Sequence, residues 1–219
     1  MKTEGADKAP ETVTADEMRA IEGAAIGSGR VSGEALMERA GAGLAEAIRA
    51  WPEHADGGRV LVLCGPGNNG GDGYVVARLL AEEGWRVTVA GLGSVETMPP
   101  DAALNRRRWQ ALGRVHDLKE GLPEGPDPDV IVDALFGTGL ARGIEGTLAK
   151  RLNEAEALGL ACGARRVAVD LPSGIDTDSG RILGAVLPAH STVTFHARKP
   201  AHVLRPDLCG TVSVVDIGL

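Results

Sequence analysis

Residues 59–80, RVLVLCGPGNNGGDGYVVARLL, constrain this chain more than any other stretch. Val60-Leu61-Val62-Leu63 is an uninterrupted apolar run and reads as a buried strand. Tyr74–Leu80 places its apolar residues as one face of a helix requires. Between them GPGNNGGDG, Gly65–Gly73, reads as a loop with five glycines. Glycine reaches positive φ and lets backbone approach a ligand closely. A strand, a glycine-rich turn and a helix start aim N–H groups and the positive end of a helix dipole at one spot, which suits phosphate. Two later stretches fit the same scheme. Asp129–Phe136 is a second buried strand, leading into a glycine-rich loop at Gly137–Gly143. Arg166–Val169 is a third strand, leading into Asp170-Leu171-Pro172-Ser173-Gly174-Ile175-Asp176.

Gly65, Gly67 and Gly70 satisfy G-x-G-x-x-G, yet an ordinary dinucleotide fingerprint needs an acidic residue at the end of the next strand. That strand, Arg86–Ala90, runs into Gly91-Leu92-Gly93-Ser94, and the first carboxylate is Glu96. Pro66 removes a donor N–H from the loop. Asn68, Asn69 and Asp72 offer hard oxygens and amide donors, better suited to a cation or a ribose–phosphate than to a bare pyrophosphate. The competing reading is a tight turn with Asn and Asp as caps.

The rest of the chain supports an α/β architecture. Thr14-Ala15-Asp16-Glu17 is a capping-box pattern that starts a helix through Met18, Ile21 and Ala25. Ser32 caps a second helix to about Ala50, with Leu36, Ala40, Leu44 and Ile48 as its core stripe. Small residues around Ala40-Gly41 allow close packing, and Trp51-Pro52 stops the helix. Asp101–Leu112 and Ile144–Leu158 are further helices, and Arg106-Arg107-Arg108 reads as a solvated face. Ser191–Phe195 and Thr211–Val215 are late strands with little helix between them, so part of the sheet is expected to be antiparallel. The alternation predicts a three-layer α/β/α sandwich with a mostly parallel, doubly wound sheet. Residues 13–219 are expected to form one domain after a flexible tail at 1–12.

Composition narrows the function. Net charge is −7 and aromatics are 3% of 219 residues, which argues against nucleic-acid binding. No apolar run is long enough to span a membrane, and the N-terminus carries no secretory pattern. Cys64, Cys162 and Cys209 have no CxxC spacing and read as reduced thiols in a cytoplasmic protein.

In such sheets ligands bind beyond the carboxyl ends of the strands. If the three loop-bearing strands are neighbours, Asn69, Asp133, Asp170 and Ser173 converge on one crevice. Gly137, Thr138 and Gly139 then supply N–H donors for a phosphate, and Arg142 adds charge. Two carboxylates there could serve as general acid and base or hold a cation.

The motifs TADEMRAIE (Thr14–Glu22), LMERAG (Leu36–Gly41), GPGNNGGDG, VDALFGTGL (Val132–Leu140), VDLPSGID (Val169–Asp176), TVTFHARKPAH (Thr192–His202) and VVDIG (Val214–Gly218) occur in order. Together they resemble the NAD(P)H-hydrate epimerase family, the YjeF N-terminal domain. The resemblance implies a Rossmann-like fold, usually a homodimer. It also implies interconversion of the R and S hydrates of NADH and NADPH, NAD(P)HX, in nucleotide repair. The nucleotide is then substrate rather than cofactor, one potassium ion binds per subunit, and the functional partner is an NAD(P)HX dehydratase. Carried over by motif, Asn69, Asp133 and Ser173 are potassium ligands. Asn68, Asn69, Gly70, Gly71, Asp72, Gly137, Thr138, Gly139, Leu140, Ala141, Arg142, Gly143 and Asp170 are substrate contacts. For the proton transfer at C6 of the hydrated ring we assign Asp133, with Lys199 as charge support. Arg39 and His196 depart from the family pattern, which commonly has Asn and a small residue there. A non-catalytic nucleotide-binding or protein-interaction scaffold of the same fold is the rival reading.

Overall fold

A computed structural model describes residues 12–51, 57–140 and 142–219. The expected tail lies outside these residues except for Thr12, which bridges to Arg198. Helix α1 (Ala15–Gly27) starts on the anticipated capping box. The Thr14 hydroxyl accepts from the Glu17 N–H at 3.3 Å, and the Glu17 carboxylate accepts from the Thr14 N–H at 2.7 Å. Helix α2 (Gly33–Arg49) starts where Ser32 Oγ accepts from the Ala35 N–H, a cap that contributes about 1 kcal/mol. Its stripe Leu36, Ala40, Leu44 and Ile48 is buried.

The remaining elements follow as β1 (Arg59–Cys64), α3 (Asn68–Glu82), β2 (Arg86–Gly91), α4 (Pro100–Gln110), β3 (Val115–Asp117), β4 (Val130–Ala134) and α5 (Gly146–Cys162). After them come β5 (Arg165–Val169), β6 (Ser191–Phe195), α6 (Pro200–Leu204), α7 (Pro206–Cys209) and β7 (Thr211–Val215). One seven-stranded sheet runs in the order β3-β2-β1-β4-β5-β6-β7. Every pairing is parallel, so the expected antiparallel part is absent. The reason lies in the connections. Residues 170–190 carry the chain from β5 back to the start of β6, and α6 with α7 does the same between β6 and β7. The one-turn helices were too short to show in the apolar pattern.

Helices α2, α3 and α4 pack on one face, against Val60, Val62, Val130 and Val132, while α5 covers Leu61, Leu63 and Ile131 on the other. Helix α5 starts two residues later than expected, because Ile144 is held in a bridge to Gly184 by backbone bonds to Leu183 and Ala185. The arginine run is also not simply solvated. Arg106 lies over the Tyr74 ring and donates to the Gly93 carbonyl at 2.7 Å, and Arg108 pairs with Glu34.

Helix α3 begins at Asn68, six residues before the expected start at Tyr74. None of the five glycines of GPGNNGGDG has positive φ. Four of them, Gly65, Gly70, Gly71 and Gly73, sit where neighbours leave no space for a side chain, while a Cβ on Gly67 would meet nothing. A Cβ on Gly70 would stand 2.0 Å from the Gly65 carbonyl oxygen, and one on Gly73 would stand 2.6 Å from the Ala134 Cβ. Gly71 meets the Met37 side chain and Gly41 meets the Val75 side chain in the same way, so each helix seats a side chain on the other's backbone. These glycines press the start of α3 onto β1, β4 and α2.

Candidate functional site

Strand β1 is followed in the chain by β2 on one side but bordered by β4 on the other, so the sheet order reverses between β1 and β4. A crevice opens at such a point beyond the strands' carboxyl ends. Here it is a cavity of about 540 Å³. Its walls are the first turn of α3 (Asn68, Asn69, Asp72), the β4 loop (Leu135–Gly139), the ends of β5 and β6 (Asp170, Phe195), Lys199, and α1 through Met18, Arg19 and Glu22. Pro66, Gly67, Thr97 and Pro99 complete it. A second cavity, about 440 Å³, lies under the loop at residues 122–128 and contains none of the glycine loops.

The two strand-end aspartates occupy different environments. Asp133 ends β4 between Leu63 and Ala168 and is 2% exposed. Its Oδ1 accepts from Ser173 Oγ at 2.6 Å and from the Leu135 N–H at 3.2 Å, and its Oδ2 accepts from the Ser173 N–H at 2.7 Å. Burial pushes its carboxyl up to about 6, against those hydrogen bonds. It does not line the cavity; Ser173, itself fully buried, is bonded to it.

Asp170 does line the cavity. It has φ 63°, one of two non-glycine residues at positive φ among the described residues. Its N–H donates to the Val193 carbonyl, and His202 Nε2 lies 2.7 Å from its carbonyl oxygen. The Lys199 N–H donates to His202 Nδ1, which leaves the proton on Nε2 for the Asp170 carbonyl. Asp170 Oδ1 pairs with Lys199 Nζ at 2.8 Å and accepts from Thr194 Oγ1 at 2.8 Å, while Oδ2 accepts from the Thr138 N–H at 3.2 Å. Lys199 is 1% exposed and spends its remaining protons on Thr194 Oγ1 and the Phe195 carbonyl. Burial alone would raise the Asp170 carboxyl, but the Lys199 ammonium and the hydrogen bonds from Lys199 and Thr194 hold it below its ordinary value. Asp72 moves the other way: burial, the Asp170 charge and Glu22 raise it well above the usual carboxylate range.

The structure therefore brings Asn68, Asn69, Asp72, Gly137, Thr138, Gly139, Asp170 and Lys199 to one cavity. It does not bring the others. Gly70 and Gly71 are packing positions, Leu140 joins the α5-side core, and Arg142 and Gly143 are exposed away from the cavity. Ala141 lies outside the described residues. The Thr138 N–H, expected to serve a phosphate, is engaged by Asp170. Sequence reasoning missed Met18, Arg19 and Glu22, although Met18 and Glu22 stand one helical turn apart in TADEMRAIE. It also missed Thr194 and His202, which share one motif with Lys199. Arg39 donates to the Ile217 carbonyl at 2.7 Å and ties down the C-terminal segment. His196 is the other residue at positive φ, which explains why a small residue suits that place.

A bound cation is tested by the donor chemistry. No group of three or more His, Cys, Asp and Glu side chains is placed to hold a metal among the described residues. Behind the cavity, however, Asp133, the Ser173 hydroxyl and the Phe136 carbonyl gather oxygens, with Ser173 Oγ 3.3 Å from Phe136 O. The buried Asn69 amide nitrogen has no partner. The two ends of an amide are told apart only by their hydrogen bonds, so the unpartnered end marks a place where the carbonyl end could meet a cation. An all-oxygen set with one carboxylate fits a hard cation.

Comparisons with known proteins give the chain's relatives. The model of the family described as "YjeF-related protein N-terminus" matches residues 33–201. The NAD(P)H-hydrate epimerase of Rhodobacter capsulatus is 44% identical over 222 residues, covering 95% of this chain and 99% of that protein. The bifunctional NAD(P)H-hydrate repair enzyme Nnr of Archaeoglobus fulgidus is 40% identical over 84% of this chain but only 37% of its own length. Among solved structures, yeast ynu0 shares the fold with a TM-score of 0.74, at 24% identity over 93% of this chain and 87% of that one.

Proposed function

The chain belongs to the YjeF-related N-terminal family, and from that premise we propose that it is an NAD(P)H-hydrate epimerase, an isomerase of nucleotide repair. Its substrate is the R or S hydrate of NADH or NADPH. The observation that carries the reading is the Asp170–Lys199 pair, buried yet facing the cavity between the start of α3 and the β4 loop. Strand β2 ends at Gly91 and Glu96 lies beyond it in an exposed turn, so the ribose carboxylate of a conventional dehydrogenase is missing. An epimerisation needs no hydride acceptor.

The reaction centre is C6, which carries a hydroxyl beside the ring nitrogen. Asp170, held ionised by Lys199, is the base that takes a proton from the water attacking C6; on its own face of the ring the protonated carboxyl gives that proton to the departing hydroxyl in the reverse direction. Lys199 keeps that carboxylate charged and oriented. Asp133 bonds both the N–H and the hydroxyl of Ser173, so it positions the loop after β5. This revises the initial assignment of the proton transfer to Asp133, whose hydrogen-bonded carboxylate lies behind the wall. Asn69, Asp133 and Ser173 would hold one potassium ion, which would supply fixed positive charge close to the dinucleotide phosphates. Asn68 and the N–H groups opening α3 face the same negative charge.

A homodimer, a cytoplasmic location and a dehydratase as functional partner belong to the same proposal. They rest on the family resemblance and, for the location, on the three free cysteines. No helix of the described residues is long and apolar enough to cross a membrane.

The test is epimerisation of purified R-NADPHX, coupled to an S-specific dehydratase, with and without potassium and with an enzyme-free control. Conversion above the control, stimulated by potassium, is expected. A folded protein that does not accelerate conversion refutes the reading.

A further inference from the structure

Losing and restoring the C6 hydroxyl on opposite faces of a ring requires proton transfer on both faces. On one face the C6–O bond breaks, its electron pair goes to oxygen, and an acid supplies the proton that makes water. The lone pair of N1 meanwhile forms an N1=C6 double bond. Water then adds to C6 from the other face, a base takes its extra proton, and the π pair returns to N1. Atoms and electrons balance without an oxidant or reductant. Asp170, anchored through its carboxylate by Lys199 and Thr194 and through its backbone carbonyl by the His202 imidazole, is fixed at the end of β5 and has no freedom to serve both faces.

The other side of the cavity is α1. Its residue Arg19 reaches the Thr138 carbonyl at 3.4 Å, so the helix lies beside the β4 loop. One turn further on, Glu22 lines the cavity. It also lines a smaller one of about 120 Å³ between α1, α2 and the start of α3, and shares both cavities with Asn68, Asp72 and Phe195. Among the described residues Glu22 has no hydrogen bond or ion pair, whereas Asp16 and Glu17 on the same helix are both engaged locally.

Resting on the epimerase reading, we propose that Glu22 is a second catalytic residue, transferring the proton on the ring face opposite Asp170. The charged groups around it are Asp170, Asp72, Lys199 and Arg19. Burial and the Asp170 charge raise the Glu22 carboxyl, with Lys199 and Arg19 opposing, while Asp170 is held down. Two carboxyl groups pushed apart in this way are suited to be acid and base in one site.

The experiment follows oxygen-18 from labelled water into each epimer while scoring epimerisation, for wild type, Glu22→Gln and Asp72→Asn, with circular dichroism to confirm folding. Wild type is expected to take up label as it epimerises. Glu22→Gln is expected to epimerise at least about 10²-fold more slowly. It should still exchange oxygen, with retention, in the one epimer whose hydroxyl faces Asp170. Four results overturn the proposal: wild-type epimerisation without label uptake; Glu22→Gln at the wild-type rate; equal loss of exchange in both epimers; or the one-epimer pattern in Asp72→Asn alone. A wild type that does not epimerise at all is a separate outcome, in which the epimerase reading fails and the proposal with it.

Discussion

Asp133 and Asp170 stand at the carboxyl ends of adjacent parallel strands, are both almost fully buried, and look alike in sequence, each following a run of small or β-branched apolar residues. Their partners set them apart. Asp133 meets only N–H and hydroxyl donors and is left without a formal countercharge among the described residues, so burial dominates and its carboxyl rises to about 6. Asp170 has an ammonium at 2.8 Å and is held ionised. One has only hydrogen-bond donors around it; the other already has a cation and turns its carboxylate to the cavity. A strand-end aspartate thus takes its role from what the following strand and loop bring to it.

The largest expected effect that sharpens this contrast comes from Lys199→Met. Removing one partner of a buried pair leaves a lone charge and costs about 3–5 kcal/mol. It also raises Asp170, so the acid limb of the pH–rate profile moves to higher pH; chemical denaturation and pH–rate measurements check both. Next, Asp133→Asn places an NH₂ group among donors in place of an acceptor. It should lower stability by about 2–3 kcal/mol and weaken the potassium response, read from unfolding curves with and without potassium.

Asp72→Asn has a pH signature. A carboxyl raised in the folded protein above its unfolded value of about 3.9 costs stability when ionisation is forced. That cost is absent at low pH and grows as pH rises above the unfolded value. The variant should therefore be more stable than wild type at pH 7, with the gap closing as pH falls toward 4. A gap that widens on acidification contradicts the raised carboxyl. The smallest effect concerns the other residue at positive φ. His196→Gly relieves left-handed strain and should gain up to about 1 kcal/mol, or about 2–4 °C in Tm. Asp170→Gly should lose stability, because there the strain is tied to an ion pair.

Much of this architecture could be read from local pattern. The capping box at Thr14–Glu17, the α2 stripe, the strands at Val60, Val130 and Val167, and the three polar loops at strand ends depend on neighbours in sequence. The missing parts depend on distant residues. Nothing local reveals that Gly70 is needed because the Gly65 carbonyl is 2.0 Å away, so the start of α3 read as a loop. Nothing within α1 shows that Glu22 meets a cavity formed by the start of α3 and by loops as far off as Gly137 and Asp170. The late strands, separated by little helix, suggested a hairpin, but α6 and α7 are enough to return the chain in parallel. Asp170 and Asp133 could be told apart only once Thr194, Lys199 and His202 had been folded against one and Ser173 against the other.

The most direct measurement compares Asp170→Asn/Lys199→Met with Asp133→Asn in the coupled epimerisation assay, at saturating potassium and with folding confirmed for both. The double variant removes the carboxylate without stranding an ammonium, and asparagine tolerates the left-handed backbone at position 170. The account predicts that the double variant loses about 10²–10⁴-fold in rate while Asp133→Asn stays far closer to wild type. A folded Asp133→Asn protein that loses turnover, beside a double variant that keeps it, would contradict the assignment.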